Sequence, residues 1–211
     1  MFTNIKALIL DCDGLLVDSE LLQFKARQKA AACFGHELSE KDFLYFWFEG
    51  NGGAKTFCAK YGFSVEEYQT LKHQYYDELI EAKMELCQGI EHFLSAVHGK
   101  YTLALCSNSK LDDIEKILKK FHLEKYFDVL VTGDELERAK PWPDGYLLAA
   151  KKLNVSPLEA VVFENSHIGL AAAKAAGMRC VIVPDVFGKK FQFSSADAVV
   201  TRIDEALKLL A

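Results

Sequence analysis

The sequence is poor in several features that would each point to a class of protein. No stretch approaches the roughly 18 consecutive apolar residues of a membrane-spanning helix, so no helical membrane span is expected. The six cysteines, at positions 12, 33, 58, 87, 106 and 180, are scattered without CxxC spacing, which favours buried, reduced thiols over a disulfide scaffold. Basic charge is not in excess: the formal net charge is −5 and the pI about 5.7, so there is no general electrostatic footprint for nucleic acid. A signal peptide is missing, because one lysine and a short apolar run lead straight into two acids. Repeats and low-complexity linkers are absent as well. These absences lead to the expectation of a cytoplasmic protein without nucleic-acid or membrane partners; a monomer or weak dimer is expected beside them.

What is present is enough apolar material for a substantial core. Half of the 211 residues are hydrophobic, which suits one large domain or a core with a smaller insert. The run from Ile5 to Leu10 is nearly all apolar and reads as a strand buried on both faces, as in a parallel sheet. It ends in Asp11-Cys12-Asp13-Gly14. Two carboxylates two residues apart point to one face if extended backbone continues through them. Their repulsion then calls for a cation, a shared proton or solvent, and Gly14 lets the chain turn. A calcium loop fails on spacing: counted from Asp11, glycine falls fourth instead of sixth and the twelfth residue is Leu22 instead of glutamate. A solvated Asp/Gly turn and a nucleophilic Asp beside an acid/base Asp with magnesium both remain open on these residues.

Further along, residues from about 20 to 86 contain helical patterns and no convincing strand. Helices are expected over Glu20 to about Phe34, Gly53–Lys60 and Val65–Lys83, with Ser39 to Asp42 as a capping box. Five of the six residues from Phe43 to Phe48 are aromatic; packing inside a small helical module is favoured over substrate contact, although the adjoining loop Gly50-Asn51-Gly52-Gly53 offers exposed amides. After Gly89 the texture alternates. Strands at Tyr101–Cys106, Phe127–Val131, Ala160–Phe163, Cys180–Val183 and Ala198–Val200 are separated by helical segments. That alternation predicts an α/β fold, a doubly wound parallel sheet with a Rossmann-like core, interrupted by a helical module after the first strand. Ligands in such sheets bind beyond the carboxyl ends of the strands, near the point where strand order reverses.

Four strand ends therefore matter. The first carries Asp11 and Asp13. The second carries Ser107-Asn108-Ser109, where Ser107 suits anion binding and Ser109 reads as a helix cap with Asp112 at box spacing. The third segment supplies Lys140 in Arg138-Ala139-Lys140-Pro141-Trp142-Pro143-Asp144, and the fourth Glu164-Asn165-Ser166-His167, with His167 expected not to be a ligand. Each is ordinary in isolation. Together they match magnesium-assisted phosphoryl transfer, which depends on positioning and charge neutralisation.

These motifs resemble those of the haloacid-dehalogenase-like hydrolases, in the subgroup of beta-phosphoglucomutases and small sugar-phosphate phosphatases. The likeness runs over essentially the whole chain, from Asp11-Cys12-Asp13-Gly14 with Asp18-Ser19 to Glu164-Asn165-Ser166 followed by Gly169, Ala172 and Gly177. It implies a catalytic core from residues 1–19 and 87–211 and a helical cap from 20–86. It also implies Asp11 as nucleophile and magnesium ligand, and Asp13 as general acid then base, its carbonyl touching the metal. Ser107, Lys140 and the amide of Asn108 would bind the phosphoryl group, and Glu164 and Asn165 would complete the metal site. The activity so implied is hydrolysis of a small phosphomonoester, a sugar or polyol phosphate, through an aspartyl-phosphate. A phosphosugar mutase and a non-catalytic phosphometabolite binder are the alternatives. Gln23 stands where beta-phosphoglucomutases carry a histidine, and their arginine after Gly50 is missing, which counts against the mutase. Asn165 stands where many relatives carry a second acid, so Asn165→Asp is expected to tighten magnesium.

Overall fold

The computed structural model describes residues 1–49 and 52–210. The chain divides into two compact units, one of Met1–Val17 with Leu86–Ala211, the other of Asp18–Glu85.

The first unit holds six strands: β1 (Ala7–Leu10), β2 (Thr102–Cys106), β3 (Val129–Val131), β4 (Ala160–Glu164), β5 (Arg179–Ile182) and β6 (Ala198–Val199). All pairings are parallel and the spatial order is β3-β2-β1-β4-β5-β6. The order reverses between β1 and β4, the place where a doubly wound sheet opens a crevice at its carboxyl edge. β1 is central and its four residues are fully buried, as its uninterrupted apolar run required. Observed strands are shorter than the apolar runs. Lys6, for instance, still donates its N–H to Glu159 O (2.8 Å), yet its side chain forms a surface ion pair with Glu159.

Helices cover both faces. On one, α7 (Asp144–Lys152) and α8 (His167–Ala175) bury Tyr146, Ala149, Ala172 and Ala173 against Ala7, Ile9, Ala104 and Val162. The small residues of α8 let it lie close to the sheet. On the other face, α5 (Ile90–Val97) sets Phe93 edge-on to Phe163 of β4, ring centroids 4.9 Å apart. The amphipathic α6 (Leu111–Phe121) buries Ile114, Ile117 and Leu118.

The second unit is all helical among its described residues: α1 (Glu20–Ala32), α2 (Glu40–Phe43), a π-helical turn (Leu44–Phe48), α3 (Gly53–Tyr61) and α4 (Val65–Lys83). Ser39 caps α2 and Ser64 caps α4 through their hydroxyls. The aromatic run lies in the π-turn, which buries Phe46 and Phe48 and leaves Tyr45 exposed. Phe57 sits amid Phe46, Trp47, Tyr61, Phe63 and Tyr68, each ring centroid within 5.7 Å of its own. Packing thus accounts for most of this aromatic content. Gly50 and Asn51 of the expected loop lie outside the described residues.

Candidate active site

Asp11 directly follows β1 and extends its ladder, donating its N–H to Phe163 O (3.0 Å). The chain then coils: the N–H groups of Leu16 and Val17 return to Cys12 O, and Gly14, at φ +76°, donates to Val17 O. A positive φ of this size is cheap only for glycine. The extended backbone assumed from sequence ends here, and the two carboxylates are held by different donors. Asp13 Oδ2 accepts from the hydroxyl of Ser109 at 2.7 Å, while Asp11 Oδ1 accepts from Lys140 Nζ at 2.6 Å.

Lys140 is the junction of the site. Its buried ammonium donates to Asp11 after β1, to Cys106 O at the end of β2 (3.0 Å) and to Glu164 Oε1 at the end of β4 (2.7 Å). The Lys140 N–H is fixed in turn by the side-chain oxygen of Asn108 (3.0 Å). The sequence assigned only a backbone role to Asn108, so this contact is additional. Ser107 is buried, and its hydroxyl accepts the N–H of Ser109 at 3.0 Å. Ser109 is not the helix cap expected: Lys110 occupies that position in α6, and Asp134 Oδ2 accepts the Leu111 N–H instead. The Ser109 hydroxyl is turned to Asp13.

Glu164 accepts five hydrogen bonds. Lys140 Nζ and the Tyr146 hydroxyl reach Oε1 at 2.7 Å each, and Asn165 N, Ser166 N and Ser166 Oγ reach Oε2 at 2.9–3.1 Å. Glycine is required at 169, because a Cβ there would meet Glu164 Cδ at 1.8 Å. Asn165 is buried as well, with Nδ2 donating to Asp185 Oδ2 at 2.6 Å. Tyr146, Ser166 and Asp185 were not singled out as site residues from sequence. The hydrogen bonds of Tyr146 and Asp185 join positions 18 and 20 residues away along the chain, which no local pattern marks. His167 stacks on Phe193 (centroids 4.4 Å) and burial pushes its pKa down, in keeping with a packing role.

The electrostatics follow from two buried carboxylates around one ammonium. Burial, and then Glu164, push the Asp11 carboxyl up to about 8 against the pull of Lys140. Burial opposes the charged form of Lys140, but Asp11 and Glu164 outweigh it and hold the ammonium well above its usual range. Burial likewise works against the Glu164 carboxylate, and Lys140 with its hydrogen bonds reverses the balance and keeps it low. Burial also raises the neighbouring thiols of Cys12 and Cys106, so neither is a thiolate nucleophile.

Three of the groups expected at a metal from the sequence, the Asp11 carboxylate, the Asp13 carbonyl and the Asn165 amide, could offer oxygens of the hard type that suits magnesium. Among the described residues no group of three His, Cys, Asp or Glu could hold a metal by itself. Such a donor set matches an ion that keeps waters and takes substrate phosphate oxygens, as magnesium does.

Residues 8–183 match the family model described as haloacid dehalogenase-like hydrolase. The phosphorylated carbohydrates phosphatase of Thermotoga maritima is 29% identical, with 98% of each chain covered. Hexitol phosphatase B of Escherichia coli is 32% identical, covering 86% of this chain and 84% of that one. The crystal structure of CbbY from Rhodobacter sphaeroides in complex with phosphate superposes with a TM-score of 0.81 at 26% identity, over 96% of both chains. A variant of that protein has been solved in complex with xylulose-(1,5)bisphosphate.

Proposed function

We propose the chemistry below from one premise, that this chain belongs to the haloacid dehalogenase-like hydrolase family and is a phosphoric monoester hydrolase. Its substrate is a small phosphorylated sugar or polyol, the class named in the phosphatases of Thermotoga and Escherichia. One observation carries the mechanism: a single ammonium, that of Lys140, bonds to the ends of β1, β2 and β4 from a segment following β3. Three strand ends and the segment that carries Lys140, which lies well beyond the end of β3, are thereby joined at the Asp11 carboxylate.

An Asp11 oxygen attacks phosphorus, and the bond from phosphorus to the leaving oxygen breaks as Asp13 gives that oxygen its proton. Asp13 then takes a proton from water while the water oxygen attacks the aspartyl-phosphate. The bond to Asp11 breaks and inorganic phosphate departs. The Ser109 hydroxyl, 2.7 Å from Asp13, orients that acid for both transfers. Ser107 already accepts a hydrogen bond from Ser109, so its own O–H is the atom it gives to the phosphoryl group, beside the Asn108 amide. Lys140 offsets charge on the transferring group and on Asp11.

Bound magnesium supplies neutralisation of the phosphoryl oxygens and a fixed orientation for them. Asp11, the Asp13 carbonyl and Asn165 would hold it. Glu164 is reassigned from metal ligand to anchor of Lys140, because donors occupy both of its oxygens. The helical unit, from Ser39 to Ala54 above all, governs which substrate is taken. The protein works in the cytoplasm, in keeping with the lack of disulfides among the described residues and of any helix there long and apolar enough to cross a membrane.

Asp11→Asn tests the mechanism: phosphate release from a panel of sugar and polyol phosphates with magnesium should vanish while the fold stays intact. Given an aryl phosphate, whose leaving group departs without an acid, Asp13→Asn should accumulate protein heavier by one phosphoryl group, seen by intact mass. Turnover near the parental rate in a clean Asp11→Asn preparation would rule out the aspartyl-phosphate.

A further inference from the structure

Asn165 brings an amide to a position where the metal reading needs oxygen and would gain from charge. What lies behind it is a buried carboxylate from a different loop. Asp185 follows β5, the next strand outward in the sheet. Its Oδ1 accepts from Phe187 N (2.7 Å) and Gly188 N (2.6 Å), and its Oδ2 accepts from Asn165 Nδ2 (2.6 Å). The loop is pressed close, since a Cβ on Gly188 would sit 2.9 Å from Asn165 O.

Donor and acceptor bookkeeping gives this contact a direction. A carboxylate accepts on both oxygens and donates on neither. Asp185 therefore compels the amide of Asn165 to present its NH2 group to it, and the carbonyl oxygen is the end that Asn165 offers elsewhere. An unsupported asparagine has no such constraint, because its two ends are nearly the same shape. We propose that Asp185 is a positioning residue for the cation site: it fixes the Asn165 amide with its oxygen as the ligand atom and supplies, from behind, the negative charge that Asn165 lacks. This rests on the reading of Asp11 and Asn165 as cation ligands.

The same bookkeeping alters what single substitutions do. Asn165→Asp does not simply add a charge, as the sequence suggested. It sets a second carboxylate against Asp185 at hydrogen-bond distance with no proton between them. Asp185→Asn fails differently: one end of the new amide can accept from Phe187 and Gly188, or from Asn165, but not from both sides. The exchange of the two, Asn165→Asp with Asp185→Asn, satisfies all three of these contacts. The amide at 185 then accepts from the two backbone N–H groups and donates to the carboxylate at 165.

The experiment is direct titration of the full-length protein with Mn2+, followed by electron paramagnetic resonance of the unbound ion, with thermal unfolding measured alongside. Asp185→Asn should weaken Mn2+ by roughly tenfold, the lower end of what loss of a partner behind a metal ligand costs. Asn165→Asp alone should not tighten binding in proportion to its charge. The double exchange should recover parental affinity or better, which a purely structural role for Asp185 in its own loop does not foresee. Asp11→Asn serves as the control for the site itself. If Asp185→Asn leaves Mn2+ affinity unchanged while Asp11→Asn abolishes binding, the site stands and the role of Asp185 is overturned. A double exchange that folds but binds no better than Asp185→Asn also overturns it. If Asp11→Asn has no effect on binding, the cation site is misplaced and the inference falls with it.

Discussion

The strand ends of the core and the interior of the helical unit are both buried, yet they are held in opposite ways. Around Lys140 the groups are charged, and geometry is set by short, directed hydrogen bonds to Asp11, Cys106 and Glu164. Around Phe57 the groups are rings in mixed tilted and edge-on contact, with little direction in any single pair. The first arrangement tolerates no missing partner, because a buried charge left alone is costly. The second degrades in proportion to the surface lost. The directed network fixes the positions of individual atoms, and the ring cluster fills a volume.

The sharpest way to break the contrast is Lys140→Met. It keeps the length of the side chain and leaves Asp11 and Glu164 without their ammonium. Stability should fall by about 3–5 kcal/mol, the cost of breaking a buried ion pair from one side. Turnover should drop by at least ~10²–10³, as when one preorganised donor to a transition state is removed. Urea unfolding and steady-state phosphate release check the two effects. Phe57→Ala should cost a similar ~3–5 kcal/mol through the cavity it leaves. Turnover of a small aryl phosphate, measured well below its melting temperature, should change far less than with Lys140→Met. Equal losses of turnover in both variants would erase the distinction between the regions.

Gly169→Ala tests how tightly the directed network is packed. The new methyl falls on the Glu164 carboxylate, so ~1–3 kcal/mol of overpacking strain is expected. Activity should fall with it, because Lys140 is anchored by that carboxylate. The smallest effect is expected at the surface, where the charge pair Glu159 and Lys6 has solvent around it. Lys6 and the backbone N–H of Ser156 hold Glu159 down to about 2. Since the folded value lies below the ordinary one, the pair adds stability above the usual glutamate range. That stability is lost as pH falls through about 4.5 toward 2. Glu159→Gln should flatten this acid limb slightly in unfolding curves taken from pH 6 to 2.5, with turnover unaltered at neutral pH.

Much of this was legible in the sequence for a physical reason. Buried parallel strands need uninterrupted apolar runs, so β1, β2 and β4 announce themselves, and chemistry collects where such runs stop. Asp11, Ser107 and Glu164 are found by that rule alone. Lys140 required the four ends to be considered together. Side-chain direction was harder to see. Ser109 has the composition of a helix cap, but the nearby Asp13 takes its hydroxyl. Glu164 reads as a cation ligand from sequence because two of its donors, Lys140 and Tyr146, come from elsewhere in the chain. The aromatic run gave away a buried module but not the π-helical turn that carries it, since ring content does not specify which backbone hydrogen-bond register wins.

Strand β1, early in the chain, lies between two strands made much later. During synthesis the chain therefore carries Asp11 from near the beginning, while its neighbour in the sheet, β4, emerges only after the helical unit, β2 and β3. Until Glu164 has been made and β1 has been drawn into place, Lys140 has no complete set of partners and the carboxylate of Asp11 stays in water. The full set of Lys140 partners is thus a property of the completed sheet. A nascent or truncated chain ending before β4 holds Asp11, Asp13 and Lys140, yet lacks one of the two strands that flank β1 and the Glu164 carboxylate that anchors Lys140.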